Sequence, residues 1–564
     1  MSVLIDPDRL AGVIDIATVG DCLERAALAR PDGEALVLPT QRATYRELNA
    51  RVNLLARSLL ALGTGYGDKV AILFPQTLDN LAMFVAATRI GAIAVPVNAR
   101  FKAHELRHII ADCGARVLVI DDDANTTRSL TEAFPDLLTD TAGELAIAGA
   151  PQLRRVVHYG PTATFPGAVS GGDFEAGAAS IGDKDLLASR YRVRVRDIAT
   201  IIYTSGTTEA PKGAMITHET LVREGLMVSR TRFKLTEHDR VWSVLPFFHI
   251  GGITFASACF AATSTYVHAG NFRPDTALRQ LAAERCTVAL AGFETIWLPV
   301  LTDASFARTD LSALRLVFCL GIPERMRDMQ ARLPDTPLIS GYGSTETCSF
   351  ITLCTPDDPV EARMMTAGRV LPGLEVKVVD VHSGVELPPG QVGELLCRGW
   401  SRFEGYHNDP GRTASAVDAD GWFHSGDLGR MDEHGRVAWI SRLKDMLKVG
   451  GENVAALEIE GYLLAHPAVR MAQVVAAPDA HYTEVPAAYV MLAPGSALTE
   501  QEIIEHCLGK IATFKVPRYV RFVDEWPMSG TKIQKYILRE RIRQELAERG
   551  ITEAPRLSST GPTR

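Results

Sequence analysis

The stretch "YTSGTTEAPKG", residues 203–213, decides the fold. It follows the apolar run Ile198–Ile202 and packs hydroxyls, two glycines and a lysine into eleven residues. Backbone N–H groups in a glycine-rich turn converge on anionic oxygens without side-chain obstruction. Thr204, Ser205, Thr207 and Thr208 add hydroxyl donors around Gly206, and Lys212 adds a positive charge. The segment therefore reads as a phosphate-holding loop behind a strand. It is not the nucleotide loop GxxxxGK[ST], because Pro211 precedes Lys212 and Gly213 follows it. Taken alone, the same residues also suit an ordinary Ser/Thr-rich loop.

Working outward, strand-like and helix-like runs alternate. "DKVAILFP" (68–75), "AIAVPVN" (92–98) and "ARVLVIDD" (115–122) read as strands. "TLDNLAMFVAATRIG" (77–91) and "KAHELRHIIADCG" (102–114) have helical spacing. This rhythm predicts an α/β fold of parallel sheets covered by helices. The Gly/Ala-rich stretch 162–178 reads as a surface loop. Beyond Gly368, "EVKVVD", "GELLCRG" and "RVAWISR" are short strands between Gly/Pro turns, which suggests a small β-rich subdomain. After "LKDMLKVGGEN" comes a compact α+β stretch ending near Leu546. The polar tail that follows is expected to be disordered.

The 564 residues carry 59 Lys/Arg and 67 Asp/Glu, a net charge of −8, so nothing in the balance calls for nucleic acid. The region 510–545 is locally basic, with nine Lys/Arg against four Asp/Glu. A solvated face, or help with a phosphate-bearing substrate, accounts for it economically. Nine scattered cysteines without a CxxC pair, and an N-terminus without a basic-then-apolar leader, fit a reducing, cytoplasmic setting. Residues 245–267 contain no Asp, Glu, Lys or Arg over 23 positions. They also contain Pro246, His249, Gly251, Gly252 and five Ser/Thr residues, which argues for a buried, cavity-lining segment rather than a membrane span.

Four further motifs follow the loop: "GYGSTET" (341–347), "GWFHSGD" (421–427), "SRLKDMLKVGGENV" (441–454) and "SGTKIQK" (529–535). In this order and at these separations the chain, over roughly residues 20–546, resembles the adenylate-forming superfamily of acyl-CoA synthetases, luciferases and peptide-synthetase adenylation domains. The resemblance implies an N-terminal ATP- and acyl-binding domain over 1–442. It implies a mobile C-terminal domain over 443–547 carrying the catalytic lysine, and a tail over 548–564. The implied activity is an ATP-dependent carboxylic acid:CoA ligase that forms acyl-AMP with release of pyrophosphate and then a CoA thioester.

Residue by residue, the resemblance implies that 204–213 closes over the β- and γ-phosphates of ATP. The family usually has Gly where this chain has Glu209, whose charge is expected to face solvent. Gly321, Ile322 and Tyr342 would enclose adenine, Gly343 would belong to the ATP site, Thr345 would contact the α-phosphate, and Glu346 would ligate Mg²⁺, a hard cation suited to a carboxylate and phosphates. Asp427 and Arg442 would hold the ribose. His249, Gly251, Gly252, Gly292 and Phe293 would form the acyl pocket. Lys444 would be the hinge, and Gly450 and Gly451 would border the CoA tunnel. Lys532 would bridge carboxylate and α-phosphate, although Thr531 stands where the family usually has Gly and Lys535 lies three residues on.

The apolar character of 245–267 and of "AGFET" (291–295) suggests a fatty, alicyclic or steroid-type acid. The alternative within the superfamily is a CoA-independent ligase that loads a carrier-protein thiol. A degenerate nucleotide binder and a luciferase-like oxygenase are further readings. Peripheral membrane contact and a homodimer are left open by the sequence.

Overall fold

The computed structural model describes residues 17–141, 144–160, 165–204, 211–529 and 532–557. They fall into two compact units, one holding 17–204, 211–376 and 397–423, the other 377–396 and 424–557. The expected junction at 442/443 lies inside the second unit.

Two sheets dominate the first unit. One has eight strands in the order Gly405–Tyr406, Lys212–Thr217, Ile198–Thr204, Ile93–Pro96, Lys69–Leu73, Val117–Ile120, Arg155–His158, Val169–Ser170. It is parallel from Ile198–Thr204 onward and antiparallel at the other end, where Lys212–Thr217 folds back on Ile198–Thr204. The apolar runs read as strands are therefore central strands buried on both faces, as parallel pairing requires. Their core includes Ala71, Leu73, Val95, Leu118, Ile120 and Val156.

The second sheet runs Leu338–Ile339, Leu316–Leu320, Val288–Phe293, Arg240–Ser243, Thr265–His268, Glu34–Val37, Arg42–Thr44, with only the last pair antiparallel. Strand order reverses between Arg240–Ser243 and Val288–Phe293. Crevices outside the carboxyl ends of strands at such a reversal are the usual ligand sites of open α/β sheets. Here those ends lead into 244–249 and 292–294.

In the second unit a five-stranded sheet joins Glu452–Ala455, Met446–Val449, Thr483–Leu492 and Val469–Asp479, with Tyr519–Phe522 parallel to Thr483–Leu492. Alternate residues of its long hairpin serve two cores: Val474, Ala476, Ala488 and Val490 on one face, Val475, Ala477, Ala487 and Tyr489 on the other. The expected β-rich segments are present as strands Leu374–Val379, Gly393–Gly399, Phe423–Met431 and Val437–Arg442.

Three expectations meet the structure directly. Residues 245–267 form a buried 13-residue helix, Ile250–Ala262, and a strand, and no helix among the described residues is long and apolar enough to cross a membrane. The described part of 162–178 is not a loop: Phe165 is buried, Val169–Ser170 joins the first sheet, and Ser170 caps the helix Gly171–Gly177. The tail is likewise ordered as far as it is described. Ala480 N donates to Thr552 O (2.9 Å), Ala554 N to Asp479 Oδ2 (2.6 Å) and Arg518 Nη1 to Pro555 O (2.8 Å). Leu557 packs on the core, and apolar residues at 551, 554 and 557 supply the burial that a polar composition concealed.

The helices His218–Met227 and Ile250–Ala262 touch backbone to backbone at Gly225, where a Cβ would come 2.9 Å from both Ala258 N and Ser257 C. Gly225→Ala should therefore cost about 1–3 kcal/mol through overpacking. The expected result is a lower urea midpoint at unchanged m.

Candidate active site

The phosphate loop leaves one strand at Thr204 and enters the next at Lys212, and these two residues face each other in register. Residues 205–210, with the candidates Ser205, Gly206, Thr207, Thr208 and the unusual Glu209, lie outside the described residues. At the loop's entrance Thr204 Oγ1 is buried and finds no hydrogen-bond partner among the described residues. At its exit Lys212 Nζ lies 3.3 Å from Glu346 Oε1 and donates to the Tyr406 hydroxyl at 2.5 Å. That hydroxyl in turn donates to Glu346 Oε1 at 2.7 Å. Tyr406 reaches this position because Gly405–Tyr406 pairs with Ala214 and Met215 of the strand Lys212 begins.

Glu346 sits in a 3₁₀ turn, Thr345–Thr347, at the tip of a hairpin in which Gly341 and Tyr342 pair with Leu353 and Thr352. The hairpin is collapsed on itself: a Cβ on Gly343 would stand 2.2 Å from Ser349 O, and Cys348 and Ser349 take φ of 53° and 101°. Behind it the fully buried Glu224 accepts from Phe350 N at 3.1 Å, and burial drives its carboxyl far up. Glu346 goes the other way. Burial pushes its carboxyl up, but the Lys212 charge and the Tyr406 hydroxyl outweigh burial and hold it below the usual value. A carboxylate kept ionised at 8% exposure is a suitable ligand for a hard divalent cation.

At the sheet's topological reversal, His249 precedes the helix Ile250–Ala262 as its N-cap residue, without a side-chain cap bond. Gly251 and Gly292 both face Leu245, with would-be Cβ distances of 3.3 and 2.9 Å, whereas a Cβ on Gly252 would strike Pro246 O at 2.2 Å. Phe293 ends its strand and leads into Glu294, whose Oε2 accepts from Ile322 N at 2.9 Å and would have to move for a Cβ on Gly321 (2.5 Å). Tyr342 is buried.

The second unit carries the remaining candidates. Asp427 and Arg442 are cross-strand partners, with Arg442 Nε 3.4 Å from Asp427 Oδ1. Lys444 follows in the turn Leu443–Asp445. Gly450 and Gly451 are the two-residue turn between Met446–Val449 and Glu452–Ala455, with φ of 59° and 93°. Both left-handed values are those of a type I′ hairpin, so conformation alone calls for glycine there. Lys532 pairs with Ser529 in a short hairpin. Lys535 Nζ is engaged 2.6 Å from Glu460, a buried carboxylate that also accepts from Val474 N.

Comparison with known proteins places this geometry. The AMP-binding enzyme family model matches residues 23–407, and the AMP-binding enzyme C-terminal domain model matches 458–532. The chain belongs to the AMP-binding enzyme family. It is 36% identical over 535 residues to YngI of Bacillus subtilis (strain 168), named as a candidate acyl-CoA synthetase, covering 93% of this chain and 97% of that one. It is 31% identical over 548 residues to the mitochondrial medium-chain acyl-CoA ligase ACSF2 of Mus musculus, covering 94% and 88%. The crystal structure of the anthranilate CoA ligase AuaEII with anthranoyl-AMP superposes with a TM-score of 0.82 at 25% identity, over 94% of this chain and 98% of that one. The protein is thus an AMP-forming acid–thiol ligase of the adenylate-forming superfamily, using ATP, CoA and a carboxylic acid.

Two residues of this AMP-binding enzyme's site were not picked out by motif. Tyr406 stands in "EGYHND" on a two-residue strand, and its only sequence signal is a Gly-aromatic pair before a turn. Glu294 stands inside "AGFET", where the acyl-pocket reading drew attention to its neighbours.

The depressed Glu346 titration has a testable sign. A group held below its ordinary value keeps its charge, and any stability drawn from pairing with Lys212, until pH falls through the depressed value. Tyr406→Phe removes one of the contacts that lower it, leaving the Lys212 charge and the hydrogen bonds from the turn itself. The acid limb of ATP-dependent pyrophosphate release should then move to higher pH, by roughly one unit or less. An unmoved limb would mean that another group titrates there.

Proposed function

We propose that this ligase activates an apolar carboxylate, fatty acid-like, alicyclic or steroid-type, in the cytoplasm. The Lys212–Tyr406–Glu346 cluster carries the ATP end of the reading. It joins the exit of the phosphate loop to the carboxylate suited to Mg²⁺. Thr204 Oγ1 and the loop hydroxyls are the donors for phosphate oxygens, and Thr345 the contact to the α-phosphate. Gly321, Ile322 and Tyr342 are assigned to adenine, Gly343 to the ATP site, and Asp427 with Arg442 to ribose. Glu346 would hold Mg²⁺, which when bound supplies charge neutralisation at the phosphates.

In the first step a carboxylate oxygen attacks the α-phosphorus and pyrophosphate leaves. In the second the CoA sulfur attacks the acyl carbon and AMP leaves. Lys532 is assigned to the first step, Lys444 to the pivot between the two, Gly450 and Gly451 to the CoA side, and His249 to the mouth of the acyl pocket. The Lys535–Glu460 pair supports Lys532 over Lys535 as the reactive lysine, since Lys535 already serves a buried carboxylate. The mobile C-terminal domain over 443–547 is part of this proposal.

The acid's character rests on what closes the space below His249. Phe255 follows Gly251 by one helical turn and therefore shares its face. Its ring meets Phe233, Phe318 and Phe350 at centroid distances of 5.4–6.2 Å. Phe318 is in register with Leu290, one layer below Gly292. Four buried rings thus form an apolar cluster on that face, and we assign it as the floor of the acyl pocket, which suits a medium-length or compact ring-bearing tail. The mouse relative's name, a medium-chain acyl-CoA ligase, agrees with that reading. Pyrophosphate release over a panel of acids, with and without CoA, tests it. Apolar acids should be turned over, and thioester should form only with CoA. Preference for dicarboxylates would overturn it.

Phe255→Ala should open the floor and raise kcat/KM for dodecanoate relative to hexanoate by about tenfold or more, the scale set by added methylenes in an apolar pocket. Lys532→Ala should slow acyl-AMP formation by about 10²–10³-fold while sparing thioester formation from supplied acyl-AMP. Lys535→Ala should instead lower the melting temperature, because a buried carboxylate left unpaired is destabilising by about 3–5 kcal/mol. The reverse assignment of kinetic and thermal effects would move the catalytic role to Lys535.

A further inference from the structure

We propose that His108 and Asp112, one turn apart on the helix Ala103–Cys113, are positioning residues that clamp both ends of the phosphate loop and so set the enzyme's affinity for ATP; the proposal rests on the ATP-dependent ligase reading. Residues four apart on a helix present their side chains as neighbours. Here the neighbours reach opposite ends of one loop. The Tyr203 hydroxyl, on the residue before Thr204, donates to Asp112 Oδ2. His108 Nε2 lies 2.7 Å from the carbonyl oxygen of Pro211, the residue before Lys212. A carbonyl only accepts, so Nε2 carries the proton. The His108 and Tyr203 rings also meet edge to face at 6.3 Å.

The platform behind the clamp is fixed. Leu106, Ile109, Ile110 and Cys113 of the same helix are buried in the core of the eight-stranded sheet. The helix reaches a third piece of the site as well. Asn408 Nδ2 donates to the Asp112 carbonyl at 2.8 Å, and His407 N donates to Gly213 O at 2.8 Å. Both residues directly follow Tyr406, which bonds Lys212 and Glu346. One helix end therefore holds the entrance of the loop, its exit, and the strand that presents Tyr406. Among the described residues the hydrogen-bonding and ring partners of the His108 and Asp112 side chains are Pro211 and Tyr203, neither of which is assigned to chemistry. Loss of His108 or Asp112 should act on ATP alone.

The test uses the full-length enzyme with Tyr203→Phe, His108→Ala, Asp112→Ala and Asp112→Asn. Pyrophosphate release is measured with ATP varied at saturating acid and with acid varied at saturating ATP. Each lost hydrogen bond should raise the KM for ATP by about tenfold, with kcat and the KM for acid within about twofold of wild type. Asp112→Asn keeps an oxygen that accepts from the Tyr203 hydroxyl, so it should restore near-wild-type KM for ATP. Binding of trinitrophenyl-ATP without acid should weaken in parallel, and thermal melts report folding. Equal losses in both KM values, unchanged KM for ATP, or an Asp112→Asn as impaired as Asp112→Ala would overturn the clamp while leaving the ligase reading intact. A wild-type enzyme that neither binds the nucleotide nor releases pyrophosphate would overturn both.

Discussion

The end of the site assigned to ATP depends on one ion pair, the half-buried Lys212 with the buried Glu346, bridged by the Tyr406 hydroxyl. Its three members lie on segments 60 to 194 residues apart in sequence. A carboxylate at this depth would ordinarily gain a proton, and a lysine would ordinarily snorkel to water. The Lys212 charge and the Tyr406 hydroxyl keep the Glu346 carboxylate ionised, so the contact fixes where the strand entrance at Lys212 and the hairpin tip sit. Removing the lysine would leave the buried Glu346 carboxylate without its cation, which costs more than the pair's net contribution. This constraint ties the Ser/Thr-rich loop to the "GYGSTET" hairpin more firmly than apolar packing, which would tolerate small slips.

The sheets make that meeting repeatable. Antiparallel return of Lys212–Thr217 on Ile198–Thr204 sets Thr204 opposite Lys212, and the same strand's other edge receives Gly405–Tyr406. The second sheet supplies the segment assigned to the acyl end by its strand reversal, which brings 244–249 beside 292–294. Glu294 then links the segment assigned to the acyl end to the one assigned to adenine, since one carboxylate oxygen accepts from Ile322 N and would have to shift for a Cβ at Gly321. A single residue thus couples the walls assigned to two substrates.

How much of this was legible in the sequence follows from what each contact depends on. The parallel α/β class was legible in the apolar runs around 70, 94 and 118, because burial on both faces leaves a compositional mark. The order and spacing of the motifs identified the family. Tyr406, Glu294, His108 and Asp112 were not legible, because their roles come from register between distant strands and helices, which composition does not encode. The stretch 162–178 misled for a related reason. Its glycines and alanines suggested a loop, but Phe165 and the Ser170 cap decide the structure, and a single buried ring with a single cap outweighs average composition over a short segment. The tail misled likewise, since three apolar residues spaced through 551–557 suffice to dock it.

The motif glycines show why a shared pattern does not carry a shared reason. At Gly252 and Gly343 the limit is space: a Cβ would fall 2.2 Å from a backbone carbonyl oxygen. At Gly451 nothing lies within 4 Å of such a Cβ, yet φ is 93°. A substitution there would strain a hairpin turn without obstructing any space. A side chain at 252 or 343 would deform the walls of the acyl and nucleotide ends. At 450 and 451 it would disturb the register of Met446–Val449 with Glu452–Ala455, directly after the pivot assigned to Lys444. If the pair serves the CoA side as proposed, it does so through backbone conformation, by keeping that hairpin tight, rather than by leaving space open.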